Sequence, residues 1–325
     1  AMSGLGLLYW AIAARLYGVE AVGLNSAAIS VMTFLGAVAQ LNLAGILTRF
    51  IPVAGRSTGR WIASSFLISA AMAVVISAIF CMGVGILSPA LSLFLTEPGL
   101  VLWFVFATVC WTVINIQDGL LTGLRQAIWV PVKNTGFGLA KILLLFFFAS
   151  SMPITGVFVS WTIGVVLVIL PASLFIFLRL LPKRAHSGEA SAVGLPQVAR
   201  YAIGDYFGAL CVLGSTTLLP LMVIRVAGGA ENAYFYMSST IGFTLYMISP
   251  SMGWSLTVEA VHDQAKLSVY SWQVFLQTLR IVVPLAGIFI LGTPLILRIF
   301  GDTYAIEGSL LLQLLALSAI PNVVN

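Results

Sequence analysis

Residues 115–141, NIQDGLLTGLRQAIWVPVKNTGFGLAK, read as the end of one apolar helix, a tight turn and the first part of the next helix. Asn115, Asp118 and Arg125 are spaced i, i+3 and i+10, which puts them on one helical stripe. Asn134, Gly138 and Lys141 form a stripe on the following helix. At a rise of 1.5 Å per residue, Lys141 stands about 18 Å from the start of that helix, near the middle of a bilayer. An ammonium at that depth costs a few kcal/mol even on lenient scales, so it calls for a partner or a watery cavity.

The composition sets the class. Of the 325 residues, 60% are hydrophobic and 8% charged, with a mean hydropathy of +1.09. A soluble domain carries about 25% charged residues. The chain is an integral membrane protein, and nothing in it reads as a nucleic-acid binder. Cys81, Cys110 and Cys211 lie in apolar stretches and read as small core residues. The formal charge of +5 is spread over loops. No secretory signal peptide with a cleavage site is evident.

Apolar runs of span length fall near 2–16, 24–47, 61–87, 100–124, 129–151, 154–180, 199–224, 232–257, 273–297 and 305–325. The first is short and the last has no polar end, so both termini read as cut from a longer chain. The loops after even-numbered spans hold Arg49, Arg56, Arg60, Arg125, Lys133, Arg179, Lys183, Arg184, Arg200, Lys266 and Arg280; the opposite loops hold Arg15, Arg225 and Arg298. The positive-inside rule then puts the N-terminus and the ends of the even spans in the cytoplasm.

The polar, basic stretch LPKRAHSGEASAVGLP (181–196) reads as a cytoplasmic linker between two halves. RLYGVE (15–20) is echoed by RVAGGAE (225–231), Trp61 by Trp272, and FLTEPGLVL (94–102) by YAIEGSLLL (304–312). The offset stays near 210 throughout. The expected organisation is an all-α polytopic fold. It has an N-terminal bundle over 1–180 (spans one to six), a linker over 181–198 and a C-terminal bundle over 199–325 (spans seven to ten). An even six-helix repeat gives both halves one orientation, with a site between them. By the same analogy about a dozen N-terminal residues and at least two C-terminal helices are absent.

Each candidate residue has a plain structural reading beside a functional one. Ser26, Ser30, Thr33, Gln40 and Thr48 recur at helical spacing in span two, as helix packing or as cavity lining. Gly204 and Gly208 read as a small-xxx-small packing pair. Asp118 and Arg125 form either an ion-pair network with Lys133 at the helix end or the cytoplasmic mouth of a cavity. Lys141 needs a carboxylate from another helix, such as Asp118 or Asp205, or an anionic ligand. Asp205 is either an ion-coupling carboxylate or a partner of Arg200. Arg15 and Arg225 snorkel at outer helix ends or gate the path. His186 and His262 are far apart and make no metal site, and no Walker, nucleophile-elbow or zinc-protease motif occurs.

ARLYGVEAVGLNSAAISVMTFLGAVAQLNLAGILTRFIP (14–52) resembles the first loop and second helix of polysaccharide exporters, and DGLLTGLRQ (118–126) resembles the end of their fourth helix. SPSMGWSLTVEAVHD (249–263) and IFGDTYAIEGSLLLQLLALSAIP (299–321) resemble the eighth helix and the ninth–tenth connection. These exporters are the O-antigen flippase type of the multidrug/oligosaccharidyl-lipid/polysaccharide superfamily. The resemblance implies a MATE-like fold of two six-helix bundles with alternating access. It implies a lipid-linked glycan moved across the bacterial cytoplasmic membrane, with a polyprenyl-diphosphate-linked substrate. Membrane lipids and a polysaccharide polymerase or glycosyltransferases are candidate partners, and no cofactor or metal is implied. The substrate-cavity candidates are Lys141, Arg125, Asn134, Asp118, Arg49, Arg15 and Gln40, with Asp205 for ion coupling. Two other readings stay open: a cation-coupled drug exporter, and a membrane-embedded glycan polymerase or ligase.

Overall fold

A chain this poor in charge can satisfy its backbone inside hydrocarbon only through helices or a closed barrel. In the computed structural model every regular element among the described residues is helical. The structure describes residues 2–53, 58–94, 97–182, 195–252 and 267–324. Most of the expected linker, with Lys183, Arg184 and His186, lies outside them, as do Arg56, His262 and Lys266.

The helices run α1 (Met2–Leu16), α2 (Val19–Gln40), α3 (Leu43–Phe50), α4 (Thr58–Leu87), α5 (Pro89–Phe94), α6 (Pro98–Gly123), α7 (Trp129–Phe148) and α8 (Gly156–Phe175). They continue as α9 (Leu195–Thr217), α10 (Leu219–Ala227), α11 (Gly229–Tyr246), α12 (Leu267–Arg298), α13 (Asp302–Glu307) and α14 (Ser309–Ser318). Among the described residues seven stretches are long and apolar enough to cross a membrane: Val19–Gln40, Thr58–Ile86, Pro98–Gly123, Trp129–Phe148, Gly156–Leu180, Tyr206–Ala227 and Ser271–Arg298. Gly4–Leu16 and Ser309–Val324 are shorter apolar helices.

Among the described residues four expected spans are interrupted, the eighth at the turn residue Met247. The second, read as continuous over 24–47, stops where Leu41 and Asn42 take left-handed backbone with φ of 50° and 56°, and α3 starts afresh. Gln40 and Asn42 interrupt the apolar run only briefly here, so the periodicity read as one continuous helix. The seventh breaks at Leu218, just before Pro220, because proline has no N–H to continue the ladder. The tenth divides at Gly308 into α13 and α14.

By its contacts the chain divides into two units, Ala1–Tyr9 with Leu16–Asn232, and Trp10–Arg15 with Ala233–Asn325. The first unit has a core of Leu47, Ile51, Ile62, Ile116, Leu120, Leu121, Leu124 and Ile176. Here α3 meets α6 almost backbone to backbone. A Cβ on Gly119 would lie 2.4 Å from the Ala44 carbonyl oxygen, and one on Gly123 would lie 2.5 Å from that of Leu47. Thr48 Oγ1 donates to the Gly119 carbonyl at 2.9 Å and ties the contact. This glycine pair at i, i+4 is the close-approach device of membrane helices. The second unit packs Leu245, Val282, Ala316 and Ala319 from α11, α12 and α14.

Candidate functional site

The polar residues of 115–141 are arranged by how α6 ends. Its last turn closes in a Schellman pattern: Arg125 N–H donates to Thr122 O at 3.0 Å and Gln126 N–H to Leu121 O at 2.8 Å. The left-handed position of this motif, usually glycine, is held by Arg125 at φ 60°. Arg125 is therefore beyond the helix, exposed at the turn, and not on the Asn115–Asp118 stripe that spacing alone suggested. Asn115 itself turns back to the Trp111 carbonyl at 2.6 Å.

Asp118 faces α7. Lys133 Nζ lies 2.7 Å from Asp118 Oδ1 and donates to the Ile114 carbonyl at 2.6 Å. Asn134 Nδ2 reaches Asp118 Oδ2 at 3.4 Å. The Lys133 side chain is 4% exposed and that of Asp118 30%. The pair thus straddles the boundary between interior and surface. The ion-pair reading of Asp118 and Lys133 holds; Arg125 is not part of it.

Lys141, two turns further along α7, has 4% exposure. Its ammonium is surrounded by ring faces rather than by carboxylates. Nζ stands 3.7 Å from the ring centroid of Trp161, 4.4 Å from that of Tyr9 and 4.8 Å from that of Phe137. The negative faces of these rings attract the cation, each by about 0.5–2 kcal/mol depending on desolvation. The rings come from α1, α7 and α8, and their mutual packing fixes them. Tyr9 and Trp161 meet edge to face at 5.5 Å, Phe137 and Trp161 at 5.4 Å. Tyr9 Oη donates to Val157 O at 2.8 Å and lies 3.0 Å from Ser160 Oγ. Backing the cage is Gly164, where a Cβ would sit 3.1 Å from the Cβ of Lys141. Among the described residues the ammonium has no hydrogen bond or ion pair, and Asp118 is taken by Lys133.

The other candidates are dispersed. Arg15, in the second unit, caps the end of α12: Nε donates to Ile299 O at 2.9 Å and Nη2 to Arg298 O at 2.6 Å. Cations at a helix C-terminus oppose its negative dipole end. Arg49 is exposed at the end of α3, 5.8 Å over the Phe50 ring. Gln40 is half-buried in the last turn of α2. Asp205 is on α9, but its side chain lies outside the described residues, as does that of Arg200.

Sequence reasoning missed three features. Gln117 is fully buried and donates to Ile169 O at 3.2 Å and Ser173 Oγ at 2.9 Å, bracing α8 around its internal Pro171. The Gly119–Gly123 contact was visible as GLLTG and passed over for Gly204 and Gly208. The aromatic cage had a weaker signal. Phe137 precedes Lys141 by one turn, but Tyr9 and Trp161 are remote in sequence.

No protein-family model and no curated protein sequence matches the chain. Two solved structures do resemble it. One is described as the inward-facing conformation of a multidrug resistance MATE family transporter of the MOP superfamily. It matches with a TM-score of 0.74 and 13% identity, over 98% of this chain and 78% of that one. The other, a MATE in the bent conformation, gives a TM-score of 0.45 and 15% identity over 98% and 84%. Taken with the seven apolar spans, the first match identifies the chain as a multi-pass, all-α membrane protein with a MATE-like fold.

Proposed function

We propose that the protein is a flippase. It translocates a polyprenyl-diphosphate-linked oligosaccharide across the bacterial cytoplasmic membrane by alternating access between two halves, 1–180 and 199–325. The observation that carries this reading is the sign of the buried charge. Among the described residues, Lys133 and Lys141 are the buried charged side chains, and Asp118 neutralises Lys133. That leaves Lys141 as net positive charge in the interior of the first unit. A diphosphate cannot enter hydrocarbon bare, and charge-assisted contacts are the strong way to receive it.

The ring faces that hold Lys141 are exchangeable partners. Each contributes about 0.5–2 kcal/mol, against about 1.5–3 kcal/mol for a hydrogen bond to a charged group. An arriving phosphate can therefore compete for the ammonium. Arg49, exposed at the end of α3, supplies a cation nearer a helix end. A cation-coupled drug exporter would instead rely on a buried free carboxylate, for which Asp205 is the candidate.

The test is a reconstituted assay with the purified protein in proteoliposomes. One arm follows a fluorescent polyprenyl-diphosphate oligosaccharide into the opposite leaflet, read by its accessibility to an impermeant glycosidase. The other follows export of a cationic dye under a proton or sodium gradient. Glycan-lipid translocation without dye export supports the flippase. Dye export without glycan-lipid movement overturns it.

A further inference from the structure

On the outer side of α6, α7 and α8 a cavity of about 220 Å³ is walled by Leu121, Trp129, Val132, Lys133, Pro171 and Phe175. Its one charged wall residue, Lys133, commits its ammonium to Asp118 and the Ile114 carbonyl, so its contribution here is mainly the methylene stem. Water is a poor occupant. An apolar cavity of roughly 150 Å³ stays dry and takes up hydrocarbon, because water in it finds no polar partners.

Exposed apolar residues stand on the groove wall and next to it in sequence. Val132 is 55% exposed, and Leu170 and Leu174 on α8 are each 59% exposed. At one end Trp129 packs on Phe175 with centroids 4.9 Å apart. Leu121 and Trp129 both line the groove, and Arg125 lies midway along the turn that joins them. An exposed arginine and a half-exposed tryptophan at a helix start are the residues expected at headgroup level.

We propose that this groove is a specific site for an anionic phospholipid of the surrounding bilayer. One acyl chain lies along α7 and α8, and the phosphate is held by Arg125. The site is separate from the Lys141 cage, and its existence does not depend on what the protein transports. It also explains why an arginine occupies a left-handed position that glycine fills at lower cost. The turn that carries it joins two residues of the groove wall, Leu121 and Trp129.

The experiment uses the full chain in nanodiscs of mixed phosphatidylglycerol and phosphatidylcholine, followed by mild delipidation and native mass spectrometry. Wild type should retain phosphatidylglycerol in preference to phosphatidylcholine. Arg125→Gln should lower that preference about fivefold, since one arginine near an anionic headgroup contributes roughly 1 kcal/mol. Ala172 is also on the groove wall; Ala172→Phe, which fills the groove, should abolish retention of either lipid, and melting curves verify that it folds; Val132→Trp serves if it does not. Equal retention of both lipids by wild type, or unchanged retention in Arg125→Gln and the filled variant, would overturn the proposal. Displacement of phosphatidylglycerol by an equimolar polyprenyl phosphate would also overturn it, by assigning the groove to the transport path.

Discussion

Replacing Lys141 by methionine separates the charge from the packing. Burying an ammonium without a counter-charge costs several kcal/mol after relaxation. Three ring faces at 3.7, 4.4 and 4.8 Å return a few kcal/mol together. The two nearly cancel. Methionine fills much of the same volume, and its sulfur keeps about 0.3–1.5 kcal/mol of attraction to aromatic rings. Lys141→Met should therefore change stability by no more than about 1 kcal/mol, read as a small shift in the detergent melting curve. Under the proposed flippase function, glycan-lipid translocation needs the charge and should be lost. Lys141→Ala behaves differently. At 4% exposure it empties a filled site and should cost about 2–4 kcal/mol, so its loss of activity would be confounded by loss of folded protein. Lys141→Arg overfills the cage at about 1–3 kcal/mol. A well-folded Lys141→Met protein with wild-type translocation would refute the role of the charge. A loss of more than about 3 kcal/mol in that variant would refute the near-cancellation derived from the ring distances.

The remaining predictions concern α6 and its neighbours. Asp118→Asn leaves Lys133 buried without its carboxylate and should destabilise by about 1–3 kcal/mol, the partial exposure of Asp118 tempering the effect. The double variant Asp118→Asn, Lys133→Met should recover part of that loss in the same melting assay. Gly123→Ala forces a Cβ to within 2.5 Å of a backbone oxygen and should cost at least about 2 kcal/mol, seen as lower folded yield; Ala at exposed Gly136 should cost far less. Arg125→Gly relieves the left-handed strain and should raise stability by about 1 kcal/mol while weakening phosphatidylglycerol retention. A drop in melting temperature for Arg125→Gly would show that the arginine side chain stabilises the turn by more than its backbone costs.

The helical, polytopic character of the chain was legible because hydrocarbon leaves the backbone little choice. The stripe Asn134–Gly138–Lys141 was legible for the same reason: helical spacing fixes the face, and all three residues are buried. Which partner each polar group takes was not. Asp118 had two cations within reach by spacing, Arg125 and Lys133. The helix end at Gly123 decides between them by carrying Arg125 out of register. For Lys141 the alternatives were a carboxylate such as Asp118 or Asp205, or an anionic ligand; Asp118 is taken by Lys133, and ring faces, two of them from distant segments, supply negative potential that no charge count registers. The break at Leu41–Asn42 was invisible since neither glycine nor proline marks it.

The eight-residue helix α3 poses a question of time. It is far too short to cross a bilayer, and its depth is set by backbone contact with Gly119 and Gly123. Those glycines are made about 70 residues later, which at 5–20 residues per second is roughly 4–14 seconds of synthesis. During that interval α2 and α4 can be inserted while the segment between them lacks its backbone contact with α6. Inserting the first unit is therefore an ordered process. The polar break after α2 is held in reserve until α6 arrives, and slowing translation between residues 50 and 119 would lengthen the exposure of that segment to quality control.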